Sequence, residues 1–94
     1  MGFIKIHILH HASEEEIYGT AILEELRRHG YDLSPGTLYP TLHNLEVEGY
    51  LLKVERIVGG KVRKYYRITA KGLKILNEVK PKIRELVAEV LGEE

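Results

Sequence analysis

The side chains best suited to act on a partner lie between Leu51 and Lys74. Eight are basic (Lys53, Arg56, Lys61, Arg63, Lys64, Arg67, Lys71 and Lys74) against the single acid Glu55, a local charge of plus seven. Cations at this density are what the phosphate backbone of a nucleic acid attracts. A second group is Ser34, Gly36, Thr37, Tyr39, Pro40, His43 and Asn44. Its hydroxyl, imidazole and amide groups can reach phosphates or base edges, and Gly36 allows close backbone approach. A third group is His7, His10 and His11, in which two imidazoles stand four residues apart and could clamp a divalent cation. No carboxylate or further ligand lies at a helpful spacing, so the group reads as a polar stripe, and no metal or cofactor is expected. Catalysis has no comparable constellation. There is no Cys nucleophile, no glycine-rich phosphate loop after a strand and no acidic pair in a recognisable setting, so no enzyme is expected.

Four helices and a hairpin must position these groups. Residues 2–12 place Ile4, Ile8, Leu9 and Ala12 on one side of a helix and Phe3 and Ile6 on a second apolar edge. Ser13-Glu14-Glu15-Glu16 has the form of a capping box. It predicts a second helix starting near Ser13, running through Ile22, Leu23 and Leu26, and stopping at Gly30. After Tyr31-Asp32-Leu33, Ser34 as N-cap and Pro35 at the first helical position open a third helix that ends at Gly49. Its core stripe is Leu38, Leu42 and Leu45. Helix, short connection and helix trace a helix-turn-helix. Pro40 removes the bond to the Gly36 carbonyl, which predicts a bend or a loosened first turn.

From Leu51 to Thr69 the pattern turns to strand. Two β-rich runs flank Gly59-Gly60, a dipeptide suited to a type I′ turn. A two-residue loop pairs Val58 with Lys61, Ile57 with Val62, Arg56 with Arg63, Glu55 with Lys64 and Leu51 with Ile68. Side chains alternate, so Leu51, Ile57, Val62, Tyr66 and Ile68 share one face while Arg56, Lys61, Arg63, Tyr65 and Arg67 share the other. Arg56 opposite Arg63 is unfavourable in a free hairpin, and a phosphate between them would relieve it.

Thr69 then caps a last helix reaching about Leu91. Leu76, Val79, Ile83, Leu86 and Val90 follow at three- and four-residue intervals, a heptad seam of nearly two repeats. Leu73, Ile75, Val87 and Leu91 widen it beyond the needs of one small domain. The seam keeps its phase across Pro81, so one kinked continuous helix is expected. With Ile4 and Ile8 of the first helix, the seam is the expected homodimer interface.

Ninety-four residues make one core. We divide it into a DNA-binding unit at 1–69 and a dimerisation helix at 70–94 packed on it. Fourteen basic and fourteen acidic side chains leave a formal charge of zero, which taken alone argues against a nucleic-acid partner. Placement argues the other way, because residues 13–48 carry eight acids against two bases while the hairpin region carries the excess cations. Cysteine is absent, no apolar run spans a membrane, and the N-terminus lacks the pattern of a signal peptide, so a cytoplasmic protein is expected.

The run SPGTLYPTLHNLEVEGYL, preceded by IYG at Ile17 to Gly19 and followed by RKYYRITAKG at Arg63 to Gly72, closely resembles the PadR family of prokaryotic transcriptional regulators. The resemblance covers about residues 6–76. It implies a mainly α winged helix-turn-helix with a three-helix core, a two-stranded wing and a long C-terminal helix. It also implies a homodimer that binds a palindromic operator on double-stranded DNA, usually as a repressor. In that reading the third helix enters the major groove and the hairpin is the wing. Ser34, Gly36, Thr37, Tyr39 and Pro40 match the recognition-helix motif; Arg63, Lys64, Tyr65 and Tyr66 match the wing motif. The single C-terminal helix is similar to that of the family's short class, and the lack of Trp leaves a small-molecule effector open. A winged-helix module that binds protein rather than DNA is the alternative, and the plus-seven wing discriminates against it.

Overall fold

The computed structural model describes residues 1–92. The chain runs α1 (Phe3–Glu14), β1 (Ile17–Tyr18), α2 (Gly19–Arg28), α3 (Pro35–Val47), β2 (Leu51–Val58), β3 (Lys61–Ile68) and α4 (Ala70–Leu91). Glu93 and Glu94, the end of the expected 70–94 segment, lie outside the described residues. The core forms where four apolar stripes meet. Ile8 and Leu9 from α1, Leu26 from α2, and Leu38, Leu42 and Leu45 from α3 are completely shielded from solvent, and Leu51 and Leu76 are nearly so. Burying a leucine side chain contributes about 1.5–3 kcal/mol, so this cluster dominates the stability of the fold.

The start of the second helix differs from the sequence expectation. Ser13 is not an N-cap: α1 continues through Glu14, and the Ser13 hydroxyl donates back to the His10 carbonyl at 2.5 Å. Helical serines often bond the preceding turn in this way. The chain then turns extended at Glu15, and α2 starts only at Gly19. Between them Ile17 and Tyr18 pair antiparallel with Tyr66 and Tyr65, so the sheet has three strands in the order β1-β3-β2 rather than the two of a bare wing. A two-residue strand is too short to show a period. It forms because β3 offers an unpaired edge and Ile17 can be buried beside it.

The hairpin register is as expected at all five pairs, from Val58 with Lys61 to Leu51 with Ile68. Gly59 and Gly60 both take positive φ, as a type I′ turn requires. The apolar face is covered only at its base. Leu51 and Tyr66 are buried, while Ile57 is 78% and Val62 61% exposed near the tip.

The helix α3 passes through Pro40 without interruption, and α4 passes through Pro81 likewise. Thr69 caps α4, its hydroxyl accepting from the Gly72 N–H at 3.0 Å and donating to the Gly49 carbonyl at 2.6 Å. Lys71 Nζ donates to the Glu48 carbonyl at 2.8 Å. These bonds tie the start of α4 to the end of α3 and so fix the base of the hairpin. Leu76 completes the core, whereas Leu86, Val87, Val90 and Leu91 further along are exposed. The radius of gyration of 14.5 Å exceeds the roughly 12.4 Å of a compact chain this long. No helix among the described residues is long and apolar enough to cross a membrane.

Candidate nucleic-acid interface

Burying Leu38, Leu42 and Leu45 decides which face of α3 meets solvent. Ser34, Gly36, Thr37, Tyr39, Pro40, His43 and Asn44 are all exposed. Ser34 stands at the N-cap, but its side chain makes no capping bond; its carbonyl accepts from the N–H groups of Thr37 and Leu38 at 3.1 and 2.9 Å. The hydroxyl lies 3.4 Å from Thr37 Oγ1, a weak contact that a stronger acceptor would displace. A Cβ on Gly36 would meet nothing closer than Ser34 Oγ at 3.7 Å. The chain itself therefore does not need glycine there, and the space it leaves opens outward. Pro40 leaves the Gly36 carbonyl without its helical donor, and Thr41 Oγ1 adds a bond to the Thr37 carbonyl at 2.8 Å. His43 Nδ1 is 3.6 Å from Glu46 Oε1.

Tyr39 is neither a core residue nor a free one. It is 46% exposed, and its ring lies against α2, where a Cβ on Gly19 would stand 2.8 Å from its Cε1. The glycine of the Ile17-Tyr18-Gly19 run is the seat of this ring.

The wing carries an anion of its own. Glu16, in the turn before β1, receives Arg56 through two bonds of 2.5 and 3.0 Å and Arg67 through two of 2.6 and 3.0 Å. The two guanidinium groups, Arg56 foremost, hold the Glu16 carboxyl down at about 2, and Glu16 in turn raises Arg56. Arg56 does face Arg63 in the register, but Glu16 relieves that repulsion within the chain, so no external phosphate is required for it. Above this pair the aromatic rings form a ladder. Arg56 lies over Tyr65 at 4.9 Å, Tyr65 is 5.6 Å from Tyr18, and Arg63 lies over Tyr18 at 5.1 Å. Of the two facing arginines, Arg63 has no carboxylate partner among the described residues. Lys61 shares its face, whereas Lys64 stands opposite Glu55 on the face of Tyr66. The wing set is thus divided between two faces. Burial, with Glu46 and Tyr39 nearby, raises the Tyr66 hydroxyl.

Sequence reasoning misses Glu16, because the Ser-x-x-Glu pattern absorbs it, and Tyr18, because a two-residue strand shows no period. A Tyr two residues after an acid, ahead of a basic hairpin, is the only signal the sequence held. Among the expected interface residues, Ile8 and Leu76 are corrected: both are buried in the chain's own core and have no surface to offer a second copy. Ile4, Val79 and Ile83 are half-buried, and Leu86 and Val90 are exposed. The histidines are changed as well, since folding brings Glu25 of α2 and His29 just after it beside His11.

The sequence model of the "Transcriptional regulator PadR-like family" matches residues 8–78. "Transcriptional regulator Rv3488" of Mycobacterium tuberculosis is 49% identical over 89 residues, covering 95% of this chain and 83% of that protein. A PadR family transcriptional regulator from Eggerthella lenta superposes with a TM-score of 0.82 at 36% identity, over 93% of this chain and 77% of that one. A PadR-like regulator from Bacillus cereus does so with a TM-score of 0.80 at 33% identity, over 97% and 93%. An exposed donor face on α3, a basic hairpin beside it and these matches agree: the chain belongs to the PadR family of transcriptional regulators.

Proposed function

We propose that the protein is a homodimeric repressor that reads a palindromic operator in double-stranded DNA. Helix α3 lies in the major groove and the β2–β3 hairpin follows the backbone or the minor groove. Residues 1–69 bind DNA, and residues 70–94 join the two copies. The observation that carries this reading is the exposed face of α3. Its hydroxyl, imidazole and amide groups stand over a fully buried leucine stripe, with the unneeded glycine at position 36 opening the helix N-terminus to a phosphate. The unburied apolar stretch of α4 supports the dimer. A second copy would cover Val79, Ile83, Leu86 and Val90 and bring two recognition helices into successive major grooves, roughly 34–36 Å apart. A bound dimer then represses by occupying the operator, with no catalytic step and no cofactor.

Footprinting on the DNA upstream of the protein's own gene, with a salt titration, tests the reading. A protected pseudo-palindrome whose affinity falls steeply with salt is expected. Absence of any protected site at low salt would instead favour the protein-binding module.

A further inference from the structure

The histidines have no part in the proposed DNA contact, and the fold gathers them. His11 in α1, Glu25 in α2 and His29 at the C-cap of α2 bring one ligand atom each to within 4.8 Å of one another. His29 Nε2 is 3.3 Å from Glu25 Oε1, while the other carboxylate oxygen, Oε2, is held by Arg28. His7 stands beside them, its ring 5.2 Å from that of His29 and 6.4 Å from that of His11, and the His11 and His29 rings are 6.0 Å apart. A zinc–nitrogen bond of about 2.0–2.1 Å puts an imidazole centre about 3.2 Å from the ion, so two rings at a tetrahedral angle sit about 5.2 Å apart. The three rings are at that separation or about 1 Å beyond it. Small side-chain rotations suffice to close the difference.

The geometry points to a binding site for one first-row divalent transition cation, zinc(II) being the reference ion, held by His11, His29 and Glu25 with the His7 ring beside them. Imidazole and carboxylate are the ligand types such ions take, and a hard calcium or magnesium ion would want more oxygens than are present. Arg28 on the outer carboxylate oxygen orients Glu25 and leaves Oε1 toward the imidazoles, the arrangement that tunes many metal ligands. One further observation points to a missing ligand. His7 Nδ1 is buried with no hydrogen-bond partner, a condition that native structures seldom leave unexplained. Occupancy joins the end of α1 to the end of α2, across the turn that carries Glu16.

Calorimetric titration of tag-free protein with zinc(II) tests the site, with cobalt(II) absorption as a second probe. One zinc per chain is expected, with a rise in melting temperature because the ion binds the folded state. His29→Ala and Glu25→Gln, both at partly exposed positions outside the core, should each weaken zinc by more than about ten-fold, with the cobalt band reduced in parallel. Glu24→Gln on the same helix should change it less than about two-fold. Melting curves of the metal-free variants establish that they fold. No saturable binding by the parent protein, or equal binding by His29→Ala and Glu25→Gln, overturns the proposal. None of these outcomes depends on whether the protein binds an operator.

Discussion

At the scale of single residues, the two arginines that face each other across the hairpin are unequal. Arg56 is committed to Glu16 by paired hydrogen bonds, whereas Arg63 rests on the Tyr18 ring with no carboxylate partner among the described residues. Replacing Arg63 by Ala should therefore weaken binding to all DNA sequences alike and reduce the slope of log affinity against log salt by about one. Arg56→Ala should leave that slope nearly unchanged and act mainly by loosening the wing. Electrophoretic mobility shifts over a salt series separate the two, and equal slopes for both variants would refute the assignment. Gly72 sets a different kind of limit. A Cβ there would stand 2.2 Å from the Tyr50 backbone carbonyl and 2.8 Å from Ile68 Cγ1. Gly72→Ala should cost about 3 kcal/mol of stability, measured by denaturant unfolding, because backbone on one side of the clash cannot rotate away.

At the scale of elements, Glu16 connects the turn before β1 to both long strands of the wing. Its carboxyl, held at about 2 against an ordinary 4.5, is ionised wherever the protein works. The sign follows directly. A depressed carboxylate contributes its full stabilisation above its unfolded value near 4.5 and loses it as pH falls towards 2. Wing order, followed by hydrogen exchange of β2 and β3 amides, should then be constant from about pH 5 upward and decline below about pH 4. Glu16→Gln should raise exchange at neutral pH to the level the parent reaches in acid and abolish the dependence. An unchanged acid profile in that variant would show that another carboxylate holds the wing. The elements were unevenly legible. The register of β2 with β3 could be read because Gly59-Gly60 leaves one loop length and alternation does the rest. The start of α2 could not, because Ser-x-x-Glu at residues 13–16 satisfies a local rule that pairing of Ile17 and Tyr18 with β3 overrides.

At the scale of the whole molecule, the far half of α4 leaves an apolar surface uncovered. Leu86, Val87, Val90 and Leu91 lie along the far half of α4, and Val90 is 70% exposed. Ile83→Asp should convert the proposed dimer to monomers and abolish specific DNA binding, as measured by sedimentation and mobility shift. Val90→Asp, outside the chain's own core, should weaken association without lowering the stability of the monomer fold. A dimer that survives both changes would show that the seam lies elsewhere. The zero net charge belongs to this scale too. It is a sum of opposed blocks, cationic on the hairpin and anionic on residues 13–48, and part of that anionic block, Glu16, is bonded directly to the wing. Glu16 therefore holds the basic surface in place in addition to balancing it.

The sequence alone determined the features governed by neighbours along the chain. These are the leucine stripe of α3, the glycine turn and pairing of the hairpin, the Thr69 cap and the family motifs, all of which depend on helical or strand periodicity within a few residues. Tertiary structure decided what meets across the fold. It paired Glu16 with arginines 40 and 51 residues away, seated Tyr39 on Gly19, drew Ile8 and Leu76 into the core, and brought Glu25 and His29 to the histidines of α1. Periodicity is a property of local backbone geometry, whereas these contacts depend on how whole elements pack, and spacing along the chain carries little trace of that.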